Sequence, residues 1–183
     1  MAETRRRGRT LVTGGARSGK SQWAEGVLAG HDVVDYLATS EVPDGDPEWA
    51  RRVALHRARR PASWRTIETL DVVGVLAERT DVPLLVDCLA VWLARTLTEV
   101  GAWERPFDEC APALAARTDA LVGAVRDTRR DVVFVTNEVG WGIVPESAGT
   151  RLYRDELGRL NARVAAECDD VWLCVVGIPR RIK

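Results

Sequence analysis

The residues Gly14-Gly15-Ala16-Arg17-Ser18-Gly19-Lys20-Ser21 fill every fixed position of the spacing G-x-x-x-x-G-K-[ST], and the chemistry they suit is phosphate binding. The glycines let backbone N–H groups converge on an anion, Lys20 can reach β- and γ-phosphates, and the Ser21 hydroxyl suits Mg²⁺. A nucleotide is the first ligand this chain implies. Asp87 closes the apolar run Leu84-Leu85-Val86 and has the form of the acidic residue that holds Mg²⁺, directly or through water. The alternative is an N-cap for a helix starting near Leu89. Asn137-Glu138 ends a second β-rich run and supplies either another carboxylate for the site or a solvated loop charge.

Histidine is scarce: the chain has two, His31 and His56. His31 falls in the turn Gly30-His31-Asp32, where a solvated role is expected. His56 is surrounded by Arg51, Arg52, Arg57, Arg59 and Arg60. These arginines can neutralise a polyphosphate, and a neutral imidazole nitrogen is a competent nucleophile toward phosphorus. The competing reading is a basic helix face in water with a packed or surface histidine.

The elements that must position these groups alternate along the chain. Residues 9–13 read as a strand entering the phosphate loop, and 20–29 as a helix whose N-terminal dipole favours the same anion. Residues 33–38 form a β-rich run ending in Thr39-Ser40, followed by the breaker-rich stretch 42–46. Asp46 as N-cap and Pro47 at the first position predict a helix over 47–60. Strands are expected at 64–67, 82–88, 132–136 and 171–176, with helices at 70–79, 90–97 and 113–130. A further helix carries Tyr153, Leu157, Leu160, Val164 and Cys168 on one face. Strands separated by helices imply a parallel sheet with right-handed crossovers. In such sheets ligands bind beyond the carboxyl ends of the strands, where Thr39, Ser40, Asp87, Asn137 and Glu138 all fall.

The whole chain narrows the function class. Its 183 residues suit a single domain, and a chain of this size buries about 70% of its unfolded surface. The expectation is a tail over 1–8 and one nucleotide-binding domain over 9–183. With 26 Lys and Arg against 27 Asp and Glu there is no broad positive field, which argues against a nucleic-acid partner. The Arg-rich start is the one basic cluster, read as a flexible solvated tail. No apolar run reaches the ~18 residues of a membrane span, and none has signal-peptide form. Four cysteines without C-x-x-C spacing read as buried reduced thiols, which points to the cytoplasm.

Several motifs occur in a fixed order: the loop Gly14 to Ser21, Tyr36-Leu37-Ala38-Thr39-Ser40, Glu48 through Arg52, His56, Arg60-Pro61 and Trp64. Leu85-Val86-Asp87-Cys88-Leu89, Thr136-Asn137-Glu138-Val139-Gly140 and Gly142-Ile143-Val144-Pro145-Glu146 follow. In this order they resemble the bifunctional adenosylcobinamide kinase/adenosylcobinamide-phosphate guanylyltransferase family of cobalamin biosynthesis, over about residues 10–183. The phosphate loop alone is not specific to that family; its combination with the histidine motif and the loop after Thr136 is. The expected fold is α/β, a P-loop NTPase (RecA-like) three-layer domain with a mostly parallel sheet flanked by helices.

The resemblance implies a kinase step, in which a hydroxyl of adenosylcobinamide attacks the γ-phosphate of ATP or GTP. It also implies a transferase step, in which GMP passes from GTP through a guanylylated His56 to adenosylcobinamide phosphate, giving adenosylcobinamide-GDP. Carried over residue by residue, it puts the nucleotide on the loop 14–21, Ala38-Thr39-Ser40, Arg57-Ala58-Arg59-Arg60, Glu68 and Asp87, with Lys20 catalytic and Ser21 and Asp87 toward Mg²⁺. Glu68 could accept from guanine N1–H and N2–H₂. A homotrimer is implied as well. Departures are modest: Leu55 stands where many relatives carry a second histidine, Arg59 where glycine is common, and Trp49 where some have Met. Trp141 and Trp103 are candidates either for contacting the large corrinoid or for core packing. Other readings are a small-molecule kinase without the transferase step, which has no need of His56, and a nucleotide switch or nucleic-acid motor, which the charge balance disfavours.

Overall fold

The computed structural model describes residues 8–40, 51, 54, 57, 58 and 60–183. Seven strands, β1 (Arg9–Gly14), β2 (Asp35–Ala38), β3 (Arg65–Glu68), β4 (Leu84–Asp87), β5 (Val132–Val135), β6 (Asp170–Val175) and β7 (Ile178–Arg181), form one sheet in the order β3-β2-β4-β5-β1-β6-β7. All neighbouring pairs are parallel except β6 with β7. The described helices are α1 (Lys20–Leu28), α2 (Val72–Ala77), α3 (Leu89–Glu99), α4 (Phe107–Asp127) and α5 (Ala148–Glu167).

The period of two in the strands divides the core. Leu11, Leu37, Leu84, Val86, Val132 and Phe134 face one side and pack with residues of α2 to α5. Val12, Tyr36, Leu85, Val133 and Val135 face the other and pack with Ala24 and Leu28 of α1. Because both faces are covered, β5 is Val-Val-Phe-Val with every residue buried. The three layers agree with the sequence reading. Strand β5 lies between β1 and β4, so the strand carrying Asp87 is one removed from the strand that enters the phosphate loop.

Two expectations are corrected. The long helix begins at Phe107, six residues before 113, with Pro112 inside it. Asp108 and Glu109 favour that N-terminus, and buried Cys110 and Leu114 reward the extra turn beyond the one backbone donor that proline lacks. The strand at 170–175 is not the last. Val176 and Gly177 turn the chain with φ of 47° and 81°, and β7 returns antiparallel beside β6. A β-branched residue in the left-handed region is a poor turn signal, which hid the hairpin. Gly8, expected as the end of the tail, is held by its N–H to Asp131 Oδ1 at 3.2 Å and accepts from Val132 N. The rest of the tail and most of the helix expected over 47–60, His56 and Arg59 included, lie outside the described residues; 51, 54, 57 and 58 are helical.

Candidate functional site

The phosphate loop leaves β1 at Gly14, and its shape is set by close approaches that exclude side chains. A Cβ on Gly14 would stand 2.4 Å from the Cys174 carbonyl oxygen and 2.6 Å from Ser18 Oγ. Gly19, at φ 92°, caps α1 without a side-chain cap, so the first N–H groups of the helix point to the loop. A Cβ there would meet Gly177 Cα at 3.1 Å, and Gly177 N–H donates to the Ser18 carbonyl at 2.9 Å. The hairpin turn that the sequence concealed thus braces the loop from behind. Arg17 occupies the left-handed region at φ 57°, exposed at the loop's crest. Gly15 and Ala16 are exposed beside it.

Lys20 is buried to 8% exposure and donates from Nζ to the Gly15 carbonyl at 3.1 Å. Burial raises the thiol pKa values of both Cys88 and Cys174, and the Lys20 charge opposes that rise in each. Ser18 Oγ and Thr13 Oγ1 are buried with no hydrogen-bond partner. Ser21 follows Lys20 in the first turn of α1, half-buried.

Asp87 ends β4, and Tyr36 donates its hydroxyl to Asp87 Oδ2 at 2.8 Å. The N-cap of α3 is Cys88, without a side-chain cap bond, so Asp87 is not that cap. Burial first, then the Asp87 charge and the bond to it, push the Tyr36 phenol far above its ordinary range; it stays a neutral donor. The donor set of Ser21 hydroxyl and Asp87 carboxylate, both hard oxygens, fits Mg²⁺. Among the described residues no three His, Cys, Asp or Glu side chains cluster as a metal cage. A cation here would be held largely by phosphates and water.

The other expected residues divide. Thr39 is 1% exposed; its Oγ1 donates to the Cys88 carbonyl at 2.8 Å and accepts from Cys88 N at 3.0 Å. It ties the ends of β2 and β4 together, beside half-buried Ala38 and Ser40. Glu138 reaches the loop through its backbone, its N–H donating to the Gly14 carbonyl at 3.0 Å. Its carboxylate instead accepts from Gly140 N at 2.9 Å. Asn137 is fixed by its carbonyl, which accepts from Asn161 Nδ2 at 2.9 Å. Arg57 and Glu68 form an ion pair, joining the arginine segment to the carboxyl end of β3, with exposed Ala58 next in sequence. The Arg60 guanidinium lies over the Tyr36 ring. Trp141 is 74% exposed, which rules out core packing for it. Trp103 is 39% exposed, donates from Nε1 to Thr98 Oγ1 at 2.8 Å and lies against Gly149.

Sequence reasoning missed Tyr36 and Asn161. Tyr36 was visible as a strand residue and as the first residue of the motif Tyr36 to Ser40, with no role of its own. Asn161, which also accepts from Thr136 Oγ1 at 2.7 Å, carried the fainter signal of a polar residue beside the buried face of a helix.

A parallel sheet, a Gly-rich loop opening a helix and a carboxylate one strand removed define an α/β P-loop NTPase. Solved structures agree on the fold. An ATPase of the type III secretion system of pathogenic bacteria superposes with a TM-score of 0.58 at 11% identity, over 91% of this chain and 50% of that one. The assembled ATPase EscN of enteropathogenic E. coli gives 0.56 at 11%, over 92% and 43%. The chain thus spans about half the length of these two, and the likeness concerns the fold alone. Within that class, the family model described as cobinamide kinase / cobinamide phosphate guanyltransferase matches residues 10–182, and the chain belongs to that family. It is 39% identical to the bifunctional adenosylcobalamin biosynthesis protein CobU of Escherichia coli (strain K12), over 94% of this chain and 98% of the relative. Identity to the protein of the same name from Salmonella typhimurium is 41% over the same shares. To the bifunctional protein CobP of Pseudomonas aeruginosa it is 38%, over 96% and 97%.

Proposed function

We propose that this chain phosphorylates adenosylcobinamide with ATP or GTP and then transfers GMP from GTP, through a guanylylated His56, to adenosylcobinamide phosphate. The observation that carries the reading is the braced phosphate loop with Lys20 directed into it, in a chain that the family model spans from 10 to 182. In the kinase step the substrate hydroxyl oxygen bonds to the γ-phosphorus as the bond to the bridging oxygen breaks, and the nucleoside diphosphate leaves. Lys20 and the N–H groups of the loop take up the charge that develops on the departing oxygen. In the transfer step neutral His56 bonds to the α-phosphorus and pyrophosphate leaves. A phosphate oxygen of the corrinoid then displaces the imidazole, restoring His56 and completing the GDP unit.

Mg²⁺, held at Ser21 and Asp87, would neutralise phosphate charge when bound. Arg57 to Arg60, Glu68 and Ala38 to Ser40 form the nucleotide side, Asn137-Glu138 the substrate side, and residues 9–183 act as one domain. The corrinoid is large, which suits contact with exposed Trp141 in a homotrimer of cytoplasmic setting. Among the described residues no helix is long and apolar enough to cross a membrane.

The test uses GTP labelled at the α-phosphorus. The protein takes up acid-labile, alkali-stable label, γ-labelled GTP gives none, and His56→Ala takes up none. Phosphorylation of adenosylcobinamide without any protein label would reduce the chain to a kinase. Label undiminished in His56→Ala would overturn the assignment of that residue.

A further inference from the structure

Two groups that the sequence places in separate motifs meet on one side chain. Tyr36 stands in β2 between Thr66 of β3 and Leu85 of β4 in register, and is 5% exposed. Its hydroxyl donates to Asp87 Oδ2 at 2.8 Å. The Arg60 guanidinium carbon lies 3.6 Å from the centre of its ring. Asp87 belongs to the phosphate side of the nucleotide site, and Arg60 to the arginine segment that follows His56. The phenol touches both.

The residue type suits this double contact. A phenol orients a carboxylate by a hydrogen bond without cancelling its charge, whereas Lys or Arg in its place would neutralise the group and weaken it toward a hard cation. With Oδ2 engaged, Asp87 is held against rotation, and Oδ1 stands outside that bond. On the other contact, the negative face of the ring attracts the guanidinium. Stacking engages the guanidinium's face, and its hydrogen bonds are made from the edge, as Nη1 does to Thr66 Oγ1 at 3.4 Å. Packing among Val12, Ala24, Leu28, Val34 and Leu85 fixes the ring, so both contacts are made from a rigid platform.

We propose that Tyr36 is a positioning residue that aligns Asp87 toward the metal-bound phosphates and Arg60 toward the nucleotide consumed at His56. One buried side chain thereby couples Asp87 at the end of β4 to the arginine segment that follows His56. This rests on the reading given under Proposed function.

The test uses the full chain. GTP affinity is measured by calorimetry with Mg²⁺ and in EDTA, Mn²⁺ binding in the presence of GTP by electron paramagnetic resonance, and folding by circular dichroism. Tyr36→Phe keeps the ring and removes the hydroxyl. The gain in affinity given by Mg²⁺ and the Mn²⁺ affinity should fall about 3–10-fold, with metal-free GTP affinity within twofold of the native chain. Tyr36→Leu removes both contacts, and metal-free affinity should fall as well. Arg60→Met and Asp87→Asn, made singly and together with Tyr36 intact, should give a combined loss at least threefold short of the product of the single losses. A folded Tyr36→Phe with unchanged Mg²⁺ gain and Mn²⁺ affinity overturns the proposal. So do losses at Arg60 and Asp87 that simply multiply, and this cycle decides should Tyr36→Leu not fold. A native chain that binds no GTP would instead overturn the functional reading, so the two failures are distinct.

Discussion

The two rims of the sheet, the edge along which its parallel strands begin and the edge along which they end, treat polar groups in opposite ways. At the edge where the parallel strands begin, Arg130 has no exposed side-chain surface and donates to Asp35 Oδ2 at 2.5 Å, to the Val82 and Val75 carbonyls and to Glu78. Arg65 holds the other oxygen of Asp35 at 2.7 Å. Nearby, Arg9 pairs with Asp169, Arg181 with Asp170, and Lys183 caps α5 through the Ala165, Ala166 and Cys168 carbonyls. At the edge where those strands end, Ser18 Oγ and Thr13 Oγ1 are buried and unpartnered, Lys20 leans on a carbonyl, and Asp87 is held by a neutral phenol. Trp64 Nε1, just before β3, is the exception at the first edge. One edge completes its electrostatics within the chain; the other keeps groups that a ligand would complete. Burial of a polar atom is costly unless it is paired, so the two buried hydroxyls beside the phosphate loop are a cost that the paired charges at the other end do not carry.

The largest effect that could break this contrast is on stability at the paired edge. Arg130→Met leaves the Asp35 carboxylate buried at 1% exposure without its buried partner, and a loss of about 3–5 kcal/mol is expected in urea unfolding. The double change Arg130→Met with Asp35→Leu should recover a large part of it, and GTP affinity of the folded fraction should hold. Equal stability of Arg130→Met and the native chain would show that the network is not a structural clip.

Next in size is a pH effect that spans both edges. Burial pushes the thiols of Cys88, at the site, and Cys168, at the opposite edge, from about 9 up to about 12; the phenol of Tyr153 is likewise raised to about 12. On raising the pH the unfolded thiols ionise first, so the unfolded state binds fewer protons and stability falls from about pH 9 toward 12. Urea midpoints at pH 8, 10 and 11 should decline in that order. At pH 8 iodoacetamide should leave both thiols unmodified in the folded chain; rapid native alkylation of Cys88 would show that the site edge is open.

The smallest effect sharpens the contrast at one atom. Ser18 is 7% exposed and its hydroxyl has no partner, so Ser18→Ala removes no internal hydrogen bond. Thermal stability should hold or rise slightly, while GTP affinity falls about 3–10-fold. A drop in stability with affinity unchanged would assign the hydroxyl to the fold.

How far these features can be read in a sequence depends on the range of the interaction. The phosphate loop is legible because its glycines, Lys20 and Ser21 are contiguous and each meets a local demand. The strand and helix alternation is legible because hydrophobic period reports local conformation. The start of the long helix at Phe107 escaped because Pro112 is a local stop signal that tertiary burial of Cys110 and Leu114 overrides. The last hairpin escaped because Val176 takes a conformation its own side chain disfavours. Thr39 stood at the right strand end, but its commitment to the Cys88 backbone depends on β2 lying next to β4.

By itself, then, the sequence determined the ligand class, the α/β alternation and the family resemblance, since contiguous motifs and local periodicity carry all three. Only the tertiary structure decided that Tyr36 holds Asp87 and bears Arg60, and that Gly177 braces the phosphate loop. It also decided that Asp35 meets Arg130 across 95 positions of sequence. Those contacts join residues far apart in the chain, and their partners are chosen by strand order and burial, quantities that no local pattern encodes.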